Sequence, residues 1–148
     1  MRPSLESAAR SLGVKAISVP VRSDAEIEAA ITELGRAPGG SLVLSPDSFI
    51  FVHRATIISL TAKYNIPAIY NQIAQVQDGA LLSYGPYVDD MFRRTAPYVD
   101  RVLRGENPAD LPVQVPIKFV MALNGKTAKA LGLAVPASIL VRADEIIE

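Results

Sequence analysis

Short apolar runs alternate with amphipathic stretches along most of this chain. Ser4 to Leu12 reads as a helix that stops at Gly13. Lys15 to Pro20 is strand-like. Ser23 and Glu26 have the spacing of a capping box, and Ile27, Ala30, Ile31 and Leu34 follow at helical spacing. Pro38-Gly39-Gly40 marks a turn before the apolar strand Ser41 to Ser45. Asp47 or Ser48 caps the next helix, whose expected apolar face is Val52, Ala55, Ile58 and Ala62 and which stops near Asn65. Pro67 to Tyr70 and Leu81 to Tyr84 read as two further strands. Val88, Met91, Phe92, Thr95, Val99 and Val102 then line one face of a long helical stretch. Asp89, Asp90, Arg93, Arg94, Asp100 and Arg101 lie mostly on its other face, and Pro97 inside it predicts a kink or a split. Ile117 to Leu123 alternates with period two. Lys126 to Leu131 forms a last helix that stops at Gly132, and a helical turn around Ser138 to Val141 precedes an acidic end.

Apolar strands alternating with helices imply βαβ units, hence an α/β fold with a three-layer, mainly parallel sheet and helices on both faces. The 148 residues are enough for one domain with a substantial core. Pro108 to Pro116 is a Pro-rich linker within that domain rather than a boundary. Composition then narrows the function. Hydrophobic residues make up 49% and charged residues 20%, a globular balance. Fifteen basic residues match fifteen acidic ones, so no basic field draws nucleic acid or an anionic membrane. There is no cysteine, which excludes disulfides, thiol catalysis and zinc-thiolate sites.

In open α/β sheets ligands bind beyond the carboxyl ends of the strands. The strand ending near Ser45 delivers Asp47 and Ser48. The one ending at Tyr70 delivers Tyr70 and Asn71, and the one ending at Tyr84 delivers Ser83 and Tyr84. These six are the candidate ligand-binding residues. An aromatic ring with a few polar groups is a usual lining for a small-molecule site. Each has a plainer role as well. Asp47 and Ser48 are ordinary helix caps, Tyr70 a half-buried aromatic, Asn71 a turn residue and Tyr84-Gly85-Pro86 a hinge turn. What favours a site is that independent strands bring them to one edge.

Other signals carry no chemistry. Gly125-Lys126-Thr127 resembles the end of a phosphate loop, but the required earlier glycine is Val120. His53, the only histidine, has no metal-ligand spacing to a carboxylate and reads as a solvated or capping residue. Asp89-Asp90 suits the first turn of a helix. No Gly-x-Ser-x-Gly elbow occurs, so no enzyme activity, cofactor or metal is expected.

A series of segments carries a family resemblance: Ser83-Tyr84-Gly85-Pro86, Tyr98 to Leu103, Pro108 to Val113, Asn124 to Leu133 and Arg142 to Glu148. Together they resemble the C-terminal half of ABC transporter substrate-binding proteins, in the branch of tryptophan/tyrosine-type binders. The resemblance starts at Leu5 and is most specific from Ser83 onward. It implies a type I periplasmic-binding-protein-like architecture, in which two α/β lobes joined by crossover strands close over a ligand. This chain then resembles an incomplete C-terminal lobe, with residues 84–112 crossing into a first lobe that is missing. Asp47, Asn71 and Tyr84 fall where related proteins place ligand-contacting side chains. The sequence departs from the family at Asn71 to Val76, which lacks the usual charged pair, and at Gly125, where leucine is common; the ligand does not transfer across such changes.

The resemblance implies a solute-binding component of an importer for a small organic solute such as an amino acid, partnered by an ABC permease and working in the periplasm. The start Met1 to Ser7 lacks the apolar core of a signal peptide, which gives the chain as written no export route. The alternative is therefore a cytoplasmic ligand-sensing or oligomerising domain. Without a first lobe, the apolar face of the 87–103 helix is uncovered, which predicts a homodimer that shares or exchanges this helix.

Overall fold

A computed structural model describes residues 3–148. Met1 and Arg2, which belong to the segment read for a leader, lie outside the described residues. The helices are α1 (Pro3–Ser11), α2 (Asp24–Arg36), α3 (Ser48–Val52), α4 (Arg54–Lys63), α5 (Ile73–Gln77), α6 (Val88–Leu103), α7 (Gly125–Ala130) and α8 (Ala137–Leu140). The strands are β1 (Leu42–Val43), β2 (Ala68–Tyr70), β3 (Leu82–Pro86), β4 (Phe119–Asn124) and β5 (Glu145–Ile147), and they form one sheet in the order β1-β2-β3-β4-β5. Only the β3–β4 pair is antiparallel. The α/β class and the mainly parallel sheet expected from the alternation of elements are thus present.

Strand register assigns each side chain a face. Ala68, Tyr70, Ser83 and Ala122 share one face, where they meet Ile27 and Ile31 of α2, Ile57 of α4 and Val76 of α5 in the main core. The opposite face carries Val43, Ile69, Tyr84, Phe119 and Ile146, all exposed. Leu123 is buried on that second face.

Local chemistry explains most element ends. Ser23 Oγ accepts from Glu26 N at 3.3 Å as a capping box requires. The Glu26 carboxylate, however, takes the amide of Arg22 at 2.6 Å instead of that of Ser23. Asp47 Oδ1 caps α3 by accepting from Phe49 N at 2.8 Å. Gly13 and Gly132 both have φ of 67°, the left-handed stop expected of them.

The structure departs from the sequence reading in five places. Lys15 to Pro20 is not a strand. No neighbouring strand takes up its backbone groups, and Val14, Ile17 and Val19 are exposed. The single helix expected from Ser48 to Asn65 is two, α3 and α4. His53 interrupts it at φ −90° and ψ 11°, with Nδ1 2.7 Å from Phe49 O and Nε2 3.3 Å from Asp24 on α2. Within α4 the buried positions are Ile57 and Thr61, and Ala55 and Ala62 are exposed. Conversely, α6 runs unsplit through Pro97. Along an exposed helix the carbonyl that Pro97 cannot serve is open to solvent, which relieves the lost hydrogen bond but not the clash of the ring with the preceding turn. Two elements, α5 and β5, had no sequence expectation. Helix α5 is one short turn held by Gln75 Oε1, which accepts from Gln72 N at 3.0 Å and from Asn71 N at 3.3 Å. Strand β5 depends on pairing with β4, locked where Met121 N donates to Asp144 Oδ2 at 2.8 Å.

Two stability outcomes follow. Ile57 is 1% exposed at the centre of the core. Ile57→Ala should lose about 2–5 kcal/mol in urea unfolding, from lost burial plus the cavity left behind. Burial raises the pKa of Tyr70 above the ordinary 10.0, opposed by the hydrogen bond with Thr61. A raised value means that the folded state holds its proton longer than the unfolded chain does. That stability is complete below pH 10 and is lost as pH rises through the folded value. Tyr70→Phe should cost about 0.5–1.5 kcal/mol at pH 7 and flatten the loss of stability above pH 10, read by urea titrations across that range.

Candidate functional site

The carboxyl ends of β1, β2 and β3 border an open groove of about 710 Å³. From β1 and beyond it come Val43, Leu44 and Pro46. From β2 come Ile69, Tyr70, Asn71 and Gln72, and from β3 Tyr84, Gly85 and Pro86. The first turns of α6 supply Val88, Met91, Phe92 and Thr95, and β4 supplies Phe119. Among these described residues none carries a charged side chain. A second groove of about 590 Å³ runs between α6 and the 108–118 segment, lined by Met91, Tyr98, Val99 and Val102 against Val113 and Ile117.

The six candidates separate into two sets. Tyr70, Asn71 and Tyr84 border the groove at the strand tips. Tyr70 does so without its ring, which is turned into the core with its hydroxyl 3.4 Å from Thr61 Oγ1. Asn71 and Tyr84 present side chains. Asp47 and Ser48 lie just past the groove-lining Pro46, where Asp47 is engaged as the α3 cap. Ser83 sits on the helix-covered face at 1% exposure, and its hydroxyl has no hydrogen-bond partner. Alternation along β3 accounts for this: Tyr84 and Ser83 are adjacent, so they face opposite sides of the sheet.

Two features hold the groove in shape. The first is a close approach between β3 and the loop after β2. A Cβ added at Gly85 would lie 1.9 Å from Asn71 O and 2.9 Å from its carbonyl carbon, so only glycine fits there. The second is a cross-strand aromatic pair. Pro86 faces Phe119 and Tyr84 faces Met121, which sets Tyr84 and Phe119 diagonally across the antiparallel pair. Their rings stack with centroids 5.8 Å apart and planes 25° from parallel.

Sequence reasoning did not pick out Phe119, Phe92 or Gln72. Phe119 was legible as a strand residue, but its partner across the sheet lies more than thirty residues earlier, beyond α6 and the linker. The charged pair absent from Asn71 to Val76 was the nearest signal, since it leaves this loop with amides alone.

Among the described residues no group of acidic, histidine or cysteine side chains is placed to hold a metal ion, and no helix is long and apolar enough to cross a membrane.

Comparison with known proteins fits this geometry. The chain matches the family model described as ABC transporter substrate binding protein over residues 3–147. No curated protein sequence matches it. Among solved structures it is similar to the ABC domain in complex with L-Trp from Streptococcus pneumoniae, with 26% identity and a TM-score of 0.85 over 97% of this chain and 50% of that one. A conserved domain protein from Vibrio cholerae O1 biovar El Tor has the same fold, with 23% identity and a TM-score of 0.86 over 97% and 48%. The ligand-free, open form of a substrate-binding protein with adhesive properties from Clostridium difficile aligns with 19% identity and a TM-score of 0.62, again over 97% and 48%. The chain therefore spans about half the length of these solved chains. That family is a binding class rather than an enzyme class, and with a match running from residue 3 to 147 the chain belongs to the ABC transporter substrate-binding proteins.

Proposed function

We propose that this chain is the C-terminal lobe of an ABC importer's solute receptor and holds one side of a small organic solute, such as an amino acid, at the tips of β1, β2 and β3. The observation that carries the reading is the groove itself. It lies at the carboxyl ends of parallel strands, where open α/β sheets bind ligands. The L-Trp complex of the similar Streptococcus pneumoniae domain supports a small-molecule ligand. In this reading Asn71 and Tyr84 contact the solute, and Asp47 and Ser48 form the rim beyond Pro46. Tyr70 and Ser83 support the tips from the covered face. Residues 84–112 cross into a first lobe, which closes the groove. The intact receptor works in the periplasm and passes its solute to a permease.

The exposure of α6 favours a second property, self-association of the chain. None of its side chains is buried, and Phe92 and Leu103 are 74% and 81% exposed. A helix whose apolar side is this open gains from cover, and a second copy supplies an identical face.

Two measurements check these readings. Isothermal titration of the chain with L-tryptophan should give saturable binding, and Gly85→Ala should weaken it at least about tenfold and cost about 1–3 kcal/mol of stability, because the Asn71 carbonyl must move. Absence of binding by the folded wild-type chain would remove the solute reading for this half. Light scattering after size exclusion should report about twice the 15.9 kDa chain mass, and Phe92→Ser with Leu103→Ser should return it to the single-chain mass. A wild-type monomer would end the self-association reading.

A further inference from the structure

We propose that Gln75 and Ser83 share one buried water molecule, which ties α5 to β3 behind the strand tips and makes Gln75 a positioning residue for the loop after β2. The water belongs to the lobe's own structure and is independent of what the groove takes.

Two polar atoms in the core lack a partner. Gln75 is 0% exposed and Ser83 1%. Among the described residues, Gln75 Nε2 and Ser83 Oγ are the buried side-chain atoms without a hydrogen bond to the protein. Buried polar groups are nearly always paired with protein or with ordered water, because an unpaired one forfeits its hydration.

Neither atom finds relief in its protein neighbours. The Gln75 amide cannot turn over. Its Oε1 accepts from Gln72 N at 3.0 Å and from Asn71 N at 3.3 Å, and a flip would set NH2 against both N–H groups. Nε2 therefore stays a donor on the side of the amide away from those two groups. Ser83 pairs in register with Tyr70 on β2 and Ala122 on β4. The Tyr70 hydroxyl is engaged with Thr61 Oγ1 at 3.4 Å, and the Ala122 side chain has no polar atom. The Val76 carbonyl, next to Gln75, already accepts from Asn124 Nδ2 at 3.2 Å.

The fold brings the two atoms together. Tyr70 is the register partner of Ser83, and the next residue, Asn71, is one whose amide Gln75 holds. Helix α5 lies against β3 and β4, and its Val76 shares the core cluster with Tyr70 and Ala122. A single water, about 30 Å³ in the liquid, needs only the space that small neighbours such as Ser83 and Ala122 concede. There it accepts from Gln75 Nε2 and exchanges a hydrogen bond with Ser83 Oγ, so both atoms are paired at once. With Nε2 fixed, Oε1 is held against the amides of Asn71 and Gln72. The water thus helps set the loop that carries Asn71 to the groove.

The test uses the whole chain. A crystal structure fine enough to show ordered waters should hold a peak about 2.7–3.2 Å from both Gln75 Nε2 and Ser83 Oγ. In solution, magnetisation transfer from water should reach the Gln75 side-chain amide protons, and it should vanish in Ser83→Ala. The wild-type readings stand whether or not that variant folds. The positioning role has its own readout. In Ser83→Ala the amides of Asn71 and Gln72 should exchange with solvent about threefold to tenfold faster, beyond any change shared by the Ile31 amide in α2. Direct bonds from the two side chains to protein atoms, or no water peak and no transfer, would overturn the shared water. A water in place with exchange at Asn71 and Gln72 unchanged in the variant would overturn the positioning role and reduce the water to a filler.

Discussion

Ile27 and Ile31 of α2, Ile57 of α4 and Val76 of α5 all close on one face of the sheet, around the ring of Tyr70 and the small side chains Ala68, Ser83 and Ala122. This single packed face is the constraint on which the rest of the structure depends. It fixes the register of β2 and β3, because a slip of one residue would turn Tyr70 and Ser83 out into solvent and bring Ile69 and Tyr84 in. With the register fixed, Tyr84 must point away from the core. The ring that borders the groove is therefore a consequence of the ring-bearing core on the other side.

The same constraint gives the groove its stiffness. Gly85 follows Tyr84 and faces the covered side, where its missing Cβ lets the Asn71 carbonyl approach. The loop after β2 is held a second time, by Gln75, whose side-chain oxygen takes the amides of Asn71 and Gln72. Gln75 is itself a fully buried residue of α5. Core packing thus reaches the strand tips through short backbone contacts rather than through long side chains. That suits a groove in which no described lining residue is charged.

Away from this face the chain is held far more lightly. Helix α6 is fastened through Tyr98, whose hydroxyl donates to Pro112 O at 2.7 Å, and through Arg94, which donates to Gln114 at 2.9 Å. Its Arg101–Glu106 and Arg104–Asp100 pairs are exposed and contribute little to stability. The apolar face read from Val88 to Val102 is real as a pattern, yet no partner within the described residues covers it. A helical hydrophobic pattern states that an element needs a partner; it does not state which chain supplies one.

The sequence by itself determined the alternation of elements, most helix bounds, the glycine stops and the α/β class, because caps, turns and helical periodicity are set by residues a few positions apart. Ser23, Asp47, Gly13 and Gly132 could be read in this way. It also placed Tyr70, Asn71 and Tyr84 at strand tips. Tertiary structure alone decided what depends on distant neighbours. Lys15 to Pro20 had strand pattern but found no strand to pair with, whereas the short acidic end became β5 because β4 offered an edge. Ser83 went to the core and Tyr84 to the groove. Phe119 joined Tyr84 only when the chain returned antiparallel after α6. A strand's hydrogen bonds and a groove's lining are made between residues far apart in the chain, and local pattern carries no record of which of them meet.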